Sequence, residues 1–177
     1  METRNHNTPA PLNDGSMIIR GIAIVFNQQT WTGRFYELIK PEAVTDKLLT
    51  YNVRALFNHD PNKILGSIKS GTLRLLKTDT GLEYSIDLPN TSTGRNVYEM
   101  IKRGDIFGSS FTFNVAEDTW IRLPNGKKLR TITKFKKIGD VGPVTYPAYE
   151  QTSAKIQEQH TSSYCTRKLK LISINNH

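Results

Sequence analysis

The chain has 177 residues, of which 37% are hydrophobic, and a formal net charge of +8. These values predict one globular domain, and no apolar run approaches the roughly 18–20 residues that a membrane-spanning helix needs. The single cysteine, Cys165, excludes an intramolecular disulfide framework, and the four scattered histidines lack zinc-type spacing. The sequence therefore predicts no metal site and no cofactor. The basic balance is compatible with a nucleic acid or an acidic protein partner.

The two ends of the chain differ from its middle. Residues 1–15 are rich in Asn, Thr and Pro, lack the apolar stretch of a signal peptide, and are predicted to form a disordered arm. Regular apolar patterns occupy residues 16–154, the predicted domain. Residues 155–177 are the predicted tail, and a helix is the interpretation of the weak pattern over residues 150–159.

The first half of the domain is predicted to be mostly β. Strands are predicted over residues 17–26 and 35–39, with a loop over 27–33 between them and with Gly21 marking a bulge or a close approach. Pro41 indicates a short helix that ends near Thr50. Further strands are predicted over residues 53–58 and 64–68. Residues 72–77 and 82–88 alternate around a glycine-containing turn, which predicts a β-hairpin.

The second half begins with a helix predicted from Ser92 or Thr93 to Arg103 and ended by Gly104. A strand follows, then a second hairpin over residues 120–123 and 128–133 and a last strand over 135–144. With about seven or eight short strands and two helices, the pattern predicts a mainly β fold with flanking helices. The predicted architecture is a closed or curled antiparallel barrel with the helices packed outside.

The strand after Gly108 presents a small hydroxyl opposite an aromatic face. Strand alternation places Phe111 and Phe113 on one face and Ser110 and Thr112 on the other. Acyl transfer by a serine needs a presented hydroxyl, an imidazole that takes its proton, and a third group that orients the imidazole. Ser110 is therefore a candidate nucleophile, with an ordinary turn serine as the alternative.

Two other segments supply candidate partners for this serine. His59 lies where a strand enters the turn Asn-His-Asp-Pro, and its side chain suits proton transfer near neutral pH. Asp140 lies among apolar and glycine residues on the last strand, where a carboxylate needs a partner. A turn residue and a strand end are the respective alternatives. Asp60 is interpreted as a residue that orients a neighbour or caps the turn, and Asp105 as a cap of the loop at Gly108; neither is predicted to be catalytic. The histidines in the two ends are interpreted as unsuited to catalysis.

The candidate residues lie in sequence motifs that resemble those of a known protein family. The chain contains FNHD (Phe57–Asp60), LG (Leu65–Gly66), GL (Gly81–Leu82), RGDIFGSSFTF (Arg103–Phe113) and GDVGPVTYPAYEQT (Gly139–Thr152) in that order. In these motifs, residues 20–154 resemble the prohead proteases of tailed phages, the serine proteases of capsid maturation whose fold is similar to that of herpesvirus assemblin.

The resemblance implies roles for individual residues. It implies that His59 and Ser110 are catalytic, with Ser109 as the rival serine. It maps the family's acidic residue onto Asp140, where herpesvirus relatives use a second histidine. Two departures from the family pattern are Gly142 in place of a usual serine and Thr112 in place of a frequent glycine. The side chain of Thr112 is expected to alter how substrate fits beside the nucleophile.

The resemblance also implies where the protein acts and on which substrates. The protease would be enclosed in the procapsid, in the host bacterial cytoplasm, where it would cleave the scaffold or the N-terminal extension of the major capsid protein, or both. It is also expected to cleave itself, with the tail of residues 155–177 as the self-processed region. The resemblance is compatible with a homo-oligomer, and it implies neither binding to a membrane nor a cofactor. The alternatives are a non-catalytic capsid-assembly protein and a nucleic-acid-binding β-barrel, the latter disfavoured because the basic residues are dispersed along the sequence.

Overall fold

The computed structural model describes residues 17–149 and 151–157, which form ten strands and two α-helices. The predicted arm, residues 1–15, lies outside the described residues, as does the predicted tail beyond residue 157 with Cys165. The strands are β1 Ile18–Val25, β2 Thr30–Trp31, β3 Tyr36–Ile39, β4 Arg54–Leu56, β5 Ile64–Ser67, β6 Leu73–Lys77, β7 Gly81–Asp87, β8 Gly108–Arg122, β9 Lys128–Val144 and β10 Ser153–Ile156. The helices are α1 Asp46–Leu49 and α2 Ser92–Arg103.

The strands form two sheets. The first has the order β10-β1-β7-β6 and is antiparallel throughout. The second has the order β2-β3-β9-β4-β5, with β8 paired along β9 in a long antiparallel hairpin. The mainly β fold with flanking helices is confirmed, and both predicted hairpins form.

The predicted closed or curled antiparallel barrel is wrong, because the sheets that residues 17–149 and 151–157 form are open. The reason lies in β9, which is 17 residues long. One of its edges is taken by β8, and the other is shared by β3 and β4, which both run parallel to β9 at different ends. The sheet therefore continues from β9 through β3 to β2 and through β4 to β5. Among the residues that the structure describes, neither β2 nor β5 pairs with β8, so the sheet does not close.

The hydrophobic core contains residues from both sheets. Leu82, Tyr84 and Ile86 alternate along β7 and are each at most 2% exposed. They pack in one cluster with residues of the second sheet, among them Phe111 and Phe135. Phe111 also lies edge-on to Phe135, with ring centroids 5.9 Å apart. The aromatic face of β8 is therefore its core face, as alternation predicts.

Helix α2 leads the chain into β8. The predicted helix is confirmed, but its N-cap is Thr91, whose hydroxyl accepts a hydrogen bond from the Gly94 N–H at 3.2 Å. Gly104 has φ +83°, and its N–H donates to the Ile101 carbonyl, which ends the helix with a left-handed cap. Within the described ranges, no helix is both long and apolar enough to cross a bilayer.

Three local predictions differ from the structure. The helix predicted from Pro41 to Thr50 is a 3-10 turn, Pro41–Ala43, followed by the four-residue α1, because Val44 and Thr45 between them are extended. The predicted loop over residues 27–33 contains β2, which pairs with β3 over two residues.

The helix predicted over residues 150–159 is wrong at its centre, because Ser153–Ile156 form β10; residues 150, 158 and 159 lie outside the described residues. β10 pairs with β1 from Ile19↔Ile156 to Ile22↔Ser153, so its backbone completes the edge of the first sheet. Pairing with a free edge overrides a weak local helix pattern.

At Gly21, β1 closely approaches β10 and the side chain of Tyr84, as the glycine within the predicted strand indicates. A Cβ at this residue would lie 2.3 Å from the Ser153 carbonyl oxygen and 2.4 Å from the Tyr84 hydroxyl oxygen. We expect Gly21→Ala to lower the free energy of unfolding by about 1–3 kcal/mol, since the added methyl forces β10 or Tyr84 to move. Urea denaturation measures the change, with the exposed neighbour Arg20→Ala as the control. An unchanged midpoint for Gly21→Ala would contradict the close packing of residue 21 against Ser153 and Tyr84.

Candidate active site

His59 lies in a tight turn that leaves β4 and docks on the end of β9. Asn58 and His59 both adopt left-handed conformations, with φ of 53° and 58°. Asparagine and histidine occupy this region more readily than most residues. The Asn58 N–H donates to the Pro143 carbonyl at 3.1 Å, and the Thr145 N–H donates to the Asn58 side-chain oxygen at 2.8 Å. These bonds fix the turn, and therefore the imidazole, against β9.

Asp140 contacts this imidazole directly. Its Oδ1 lies 2.6 Å from His59 Nδ1, and the exposed side-chain fractions are 11% for Asp140 and 32% for His59. A carboxylate only accepts hydrogen bonds, so Nδ1 must carry the proton of this contact. In the neutral imidazole, Nε2 is then the basic nitrogen. The pair thus holds a histidine in the tautomer that accepts a proton at Nε2.

Ser110 lies on the same face of the β8–β9 hairpin as Asp140. The register pairs Ser110 with Gly142 and Thr112 with Asp140. Directly paired residues of an antiparallel ladder project to the same face, and diagonal neighbours are about 7–8 Å apart. Ser110 and Asp140 are such a diagonal pair, so the imidazole bonded to Asp140 lies on the face of Ser110. The structure therefore brings His59 and Asp140 into contact and places Ser110 on the same face of the hairpin, one diagonal position from Asp140.

Thr112 makes a contact with Asp140 that the sequence did not predict. Its hydroxyl donates to Asp140 Oδ2 and accepts the Asp140 N–H at 3.1 Å. Sequence reasoning placed Thr112 beside the nucleophile and expected it to affect substrate fit. Its partner emerges only from the register between β8 and β9, which local patterns do not reveal.

Ser109, the rival serine, has a different environment. It is fully buried, its hydroxyl donates to the Ser153 carbonyl at 2.6 Å, and it lies 2.6 Å from the Tyr84 hydroxyl. Burial raises the pKa of Tyr84, so that phenol stays protonated and donates to Ser109. Strand alternation points Ser109 to the core face, away from Asp140. Its hydroxyl ties β8 to β7 and β10.

Gly142 permits the approach of β4 to β9. A Cβ at Gly142 would lie 2.1 Å from the Leu56 carbonyl oxygen, which clashes with the backbone just before the His59 turn. The family's usual serine at this position therefore has no room here. The departure from the family pattern at Gly142 fits the path of β4, which delivers His59.

The other predicted acids have partners of their own. Asp60 accepts the Asn62 N–H at 2.9 Å within the turn, and this bond lowers the pKa of Asp60. Asp105 is exposed and pairs with Arg103 at 3.2 Å. His6, His160 and His177 lie outside the described residues.

Comparison with known proteins identifies the family. The family model for the caudovirus prohead serine protease matches residues 2–166, nearly the whole chain. No curated protein and no solved structure matches the chain, so the assemblin-like architecture stays a prediction. The chain therefore belongs to the caudovirus prohead serine protease family: it is a serine peptidase of phage capsid maturation, which acts in the procapsid interior on capsid proteins.

Proposed function

We propose that Ser110 is the nucleophile, His59 the general base and Asp140 the orienting acid of this peptidase. The observation that carries the assignment is the 2.6 Å contact between His59 and Asp140 on the strand face that presents Ser110. Ser109 is a weaker candidate because its hydroxyl is buried and bonded on the opposite face.

The geometry supports the serine-peptidase reaction sequence. Ser110 Oγ attacks the scissile carbonyl carbon while its proton passes to His59 Nε2. The resulting imidazolium is stabilised by the Asp140 carboxylate and gives its proton to the leaving amine as the peptide bond breaks. Water, deprotonated by His59, then hydrolyses the acyl-enzyme ester and regenerates Ser110.

The proposed substrates are the scaffold, the N-terminal extension of the major capsid protein, and the chain itself, in procapsids assembled in the host bacterial cytoplasm. In the described part of the chain, β8 has a strand partner on one edge only. An extended peptide can add to the free edge of such a strand through its backbone. An extended substrate that pairs with this free edge on the C-terminal side of Ser110 would lie next to the nucleophile.

Co-expression with the phage's capsid and scaffold proteins tests this proposal. Intact-mass measurement should show shortened capsid or scaffold chains with the wild-type protease, and full-length chains with Ser110→Ala. Intact substrates in both cultures would contradict the substrate assignment. Equal cleavage in both cultures would instead place the activity elsewhere than Ser110.

Asp140→Asn should lower kcat by about 10³–10⁴-fold and leave the chain folded. The asparagine amide can donate to Nδ1, which stabilises the tautomer with the proton on Nε2, where the serine proton has to go. Initial rates of capsid-protein cleavage measure the effect. Asp60→Asn is the matched control, because Asp60 caps the turn of His59 without contact to the imidazole. Equal rates for the two variants would argue against the role of Asp140.

The nucleic-acid alternative has less support. A nucleic-acid-binding barrel needs exposed aromatic rings on which bases stack, and the aromatic candidates in the sequence include Trp31, Tyr36 and Phe111. Phe111 is 5% exposed and lies in the core. Trp31 and Tyr36 pack edge to face, and Lys127 lies 4.0 Å from the Trp31 ring centroid. These rings and this cation are therefore already engaged with one another. Salt-dependent DNA binding together with normal capsid assembly in Ser110→Ala would favour this alternative.

A further inference from the structure

The β8–β9 ladder contains an irregularity beside Asp140. Thr112 pairs with Asp140, but Phe113 pairs with Ile138, so Gly139 is an extra residue on β9. Such a bulge disturbs the regular backbone bonding of the ladder. Here the Asp140 N–H donates to the hydroxyl of Thr112 at 3.1 Å. A side chain on the strand of the nucleophile thus satisfies the backbone of the acid.

The hydroxyl of Thr112 has one proton, and the geometry determines where that proton goes. Because Oγ1 accepts the Asp140 N–H, its own proton is free for a second partner. That partner is Asp140 Oδ2, which has no proton to give as a carboxylate oxygen. One hydroxyl therefore bridges the backbone and the side chain of the same residue.

We propose that Thr112 is a positioning residue that fixes the rotation of the Asp140 carboxylate, and with it the contact to His59; this inference rests on the proposed function. A carboxylate terminal torsion has a broad energy well, so the strand backbone alone leaves its rotation loosely defined. Thr112 binds Oδ2 while Oδ1 faces His59 Nδ1 at 2.6 Å. The β-branched threonine has few rotamers, which makes its hydroxyl a stiff anchor.

Gly139 completes this arrangement. A Cβ at residue 139 would lie 2.6 Å from Thr112 Oγ1. The extra residue of the bulge must therefore lack a side chain for the hydroxyl to keep its place. Gly139→Ala is then a second way to displace the hydroxyl, one that leaves Thr112 itself unchanged.

Kinetics of three variants test the proposal. Thr112→Val keeps the shape and loses both hydrogen bonds, so kcat should fall about 10- to 100-fold. Thr112→Ser keeps the hydroxyl and should stay within about threefold of the wild type, whereas Gly139→Ala should resemble Thr112→Val. In all three, KM should change less than about twofold, because the group acts through Asp140 and does not bind substrate. Thr119→Val, an exposed threonine of the same strand, is the matched control.

The proton spectrum of the imidazole supplies a readout that is independent of cleavage. The Nδ1–H proton in the contact with Asp140 should give a low-field signal in the wild type and in Thr112→Ser. The signal should shift or broaden in Thr112→Val and in Gly139→Ala. This experiment succeeds or fails whether or not Ser110 is the nucleophile, so it separates the positioning role from the proposed function.

Three outcomes would overturn the positioning role. An unchanged kcat in folded Thr112→Val is one, and a loss in Thr112→Ser as large as that in Thr112→Val is another. The third is an imidazole signal that is the same in all variants. Should Thr112→Val fail to fold, Gly139→Ala and Thr112→Ser still decide, because the two substitutions have opposite expected effects on the same hydroxyl.

Discussion

Ser110→Ala should lower cleavage of the capsid protein by about a millionfold, which is the scale at which a serine peptidase loses activity without its nucleophile. Alanine removes only one oxygen at a strand position that is 8% exposed, so we expect the fold to stay intact. The measurement is the ratio of cleaved to intact capsid protein by mass spectrometry after co-expression. Thermal unfolding of the purified variant checks that the loss is chemical.

Ser109→Ala is the matched control for this experiment. Ser109 is adjacent in sequence, but its hydroxyl lies on the core face and donates to the Ser153 carbonyl. Its removal leaves the Tyr84 hydroxyl and the Ser153 carbonyl without this partner and should cost about 1–3 kcal/mol of stability. Activity should persist at temperatures where the variant is folded. If Ser109→Ala and not Ser110→Ala abolished cleavage, the proposed nucleophile would be misplaced.

Local sequence patterns predicted those elements of the fold that depend on near neighbours. Helix α2 has an apolar stripe and a terminal glycine, and both hairpins have turn residues between alternating strands. The closed barrel was wrong because closure depends on which distant edges meet. Neither the parallel pairing of β3 and β4 with β9 nor the pairing of β10 with β1 leaves a local signal.

The candidate site shows the same division. Ser110, His59 and Asp140 emerged from strand alternation, turn chemistry and a family resemblance. Strand alternation placed Thr112 on the face of Ser110, and the resemblance marked it as a departure from the family pattern. Its contact with Asp140 was not predicted, because this contact depends on the β8–β9 register. The close approach of Leu56 to Gly142 depends on the path of β4, and the sequence did not predict it either. The residue types were thus predictable, and their mutual distances were not.

His59→Asn should lower cleavage as far as Ser110→Ala does, and the double variant should be no worse than either single variant. Residues that act as one unit in a serine peptidase show this non-additivity, because a nucleophile without its base gains little from being present. Asparagine is the informative substitution. It tolerates the left-handed conformation at residue 59, where φ is 58°, and it removes the imidazole.

His59→Ala separates the conformational effect from the chemical one. Alanine pays about 1–2 kcal/mol for a left-handed conformation that asparagine tolerates, so His59→Ala should unfold at a lower urea concentration than His59→Asn. Both should be equally inactive in the cleavage assay, because both lack a proton acceptor beside Ser110. Additive losses in the double variant would show that the two side chains act independently. In that case, the contact between His59 and Asp140 would serve the stability of the turn and not the chemistry of Ser110.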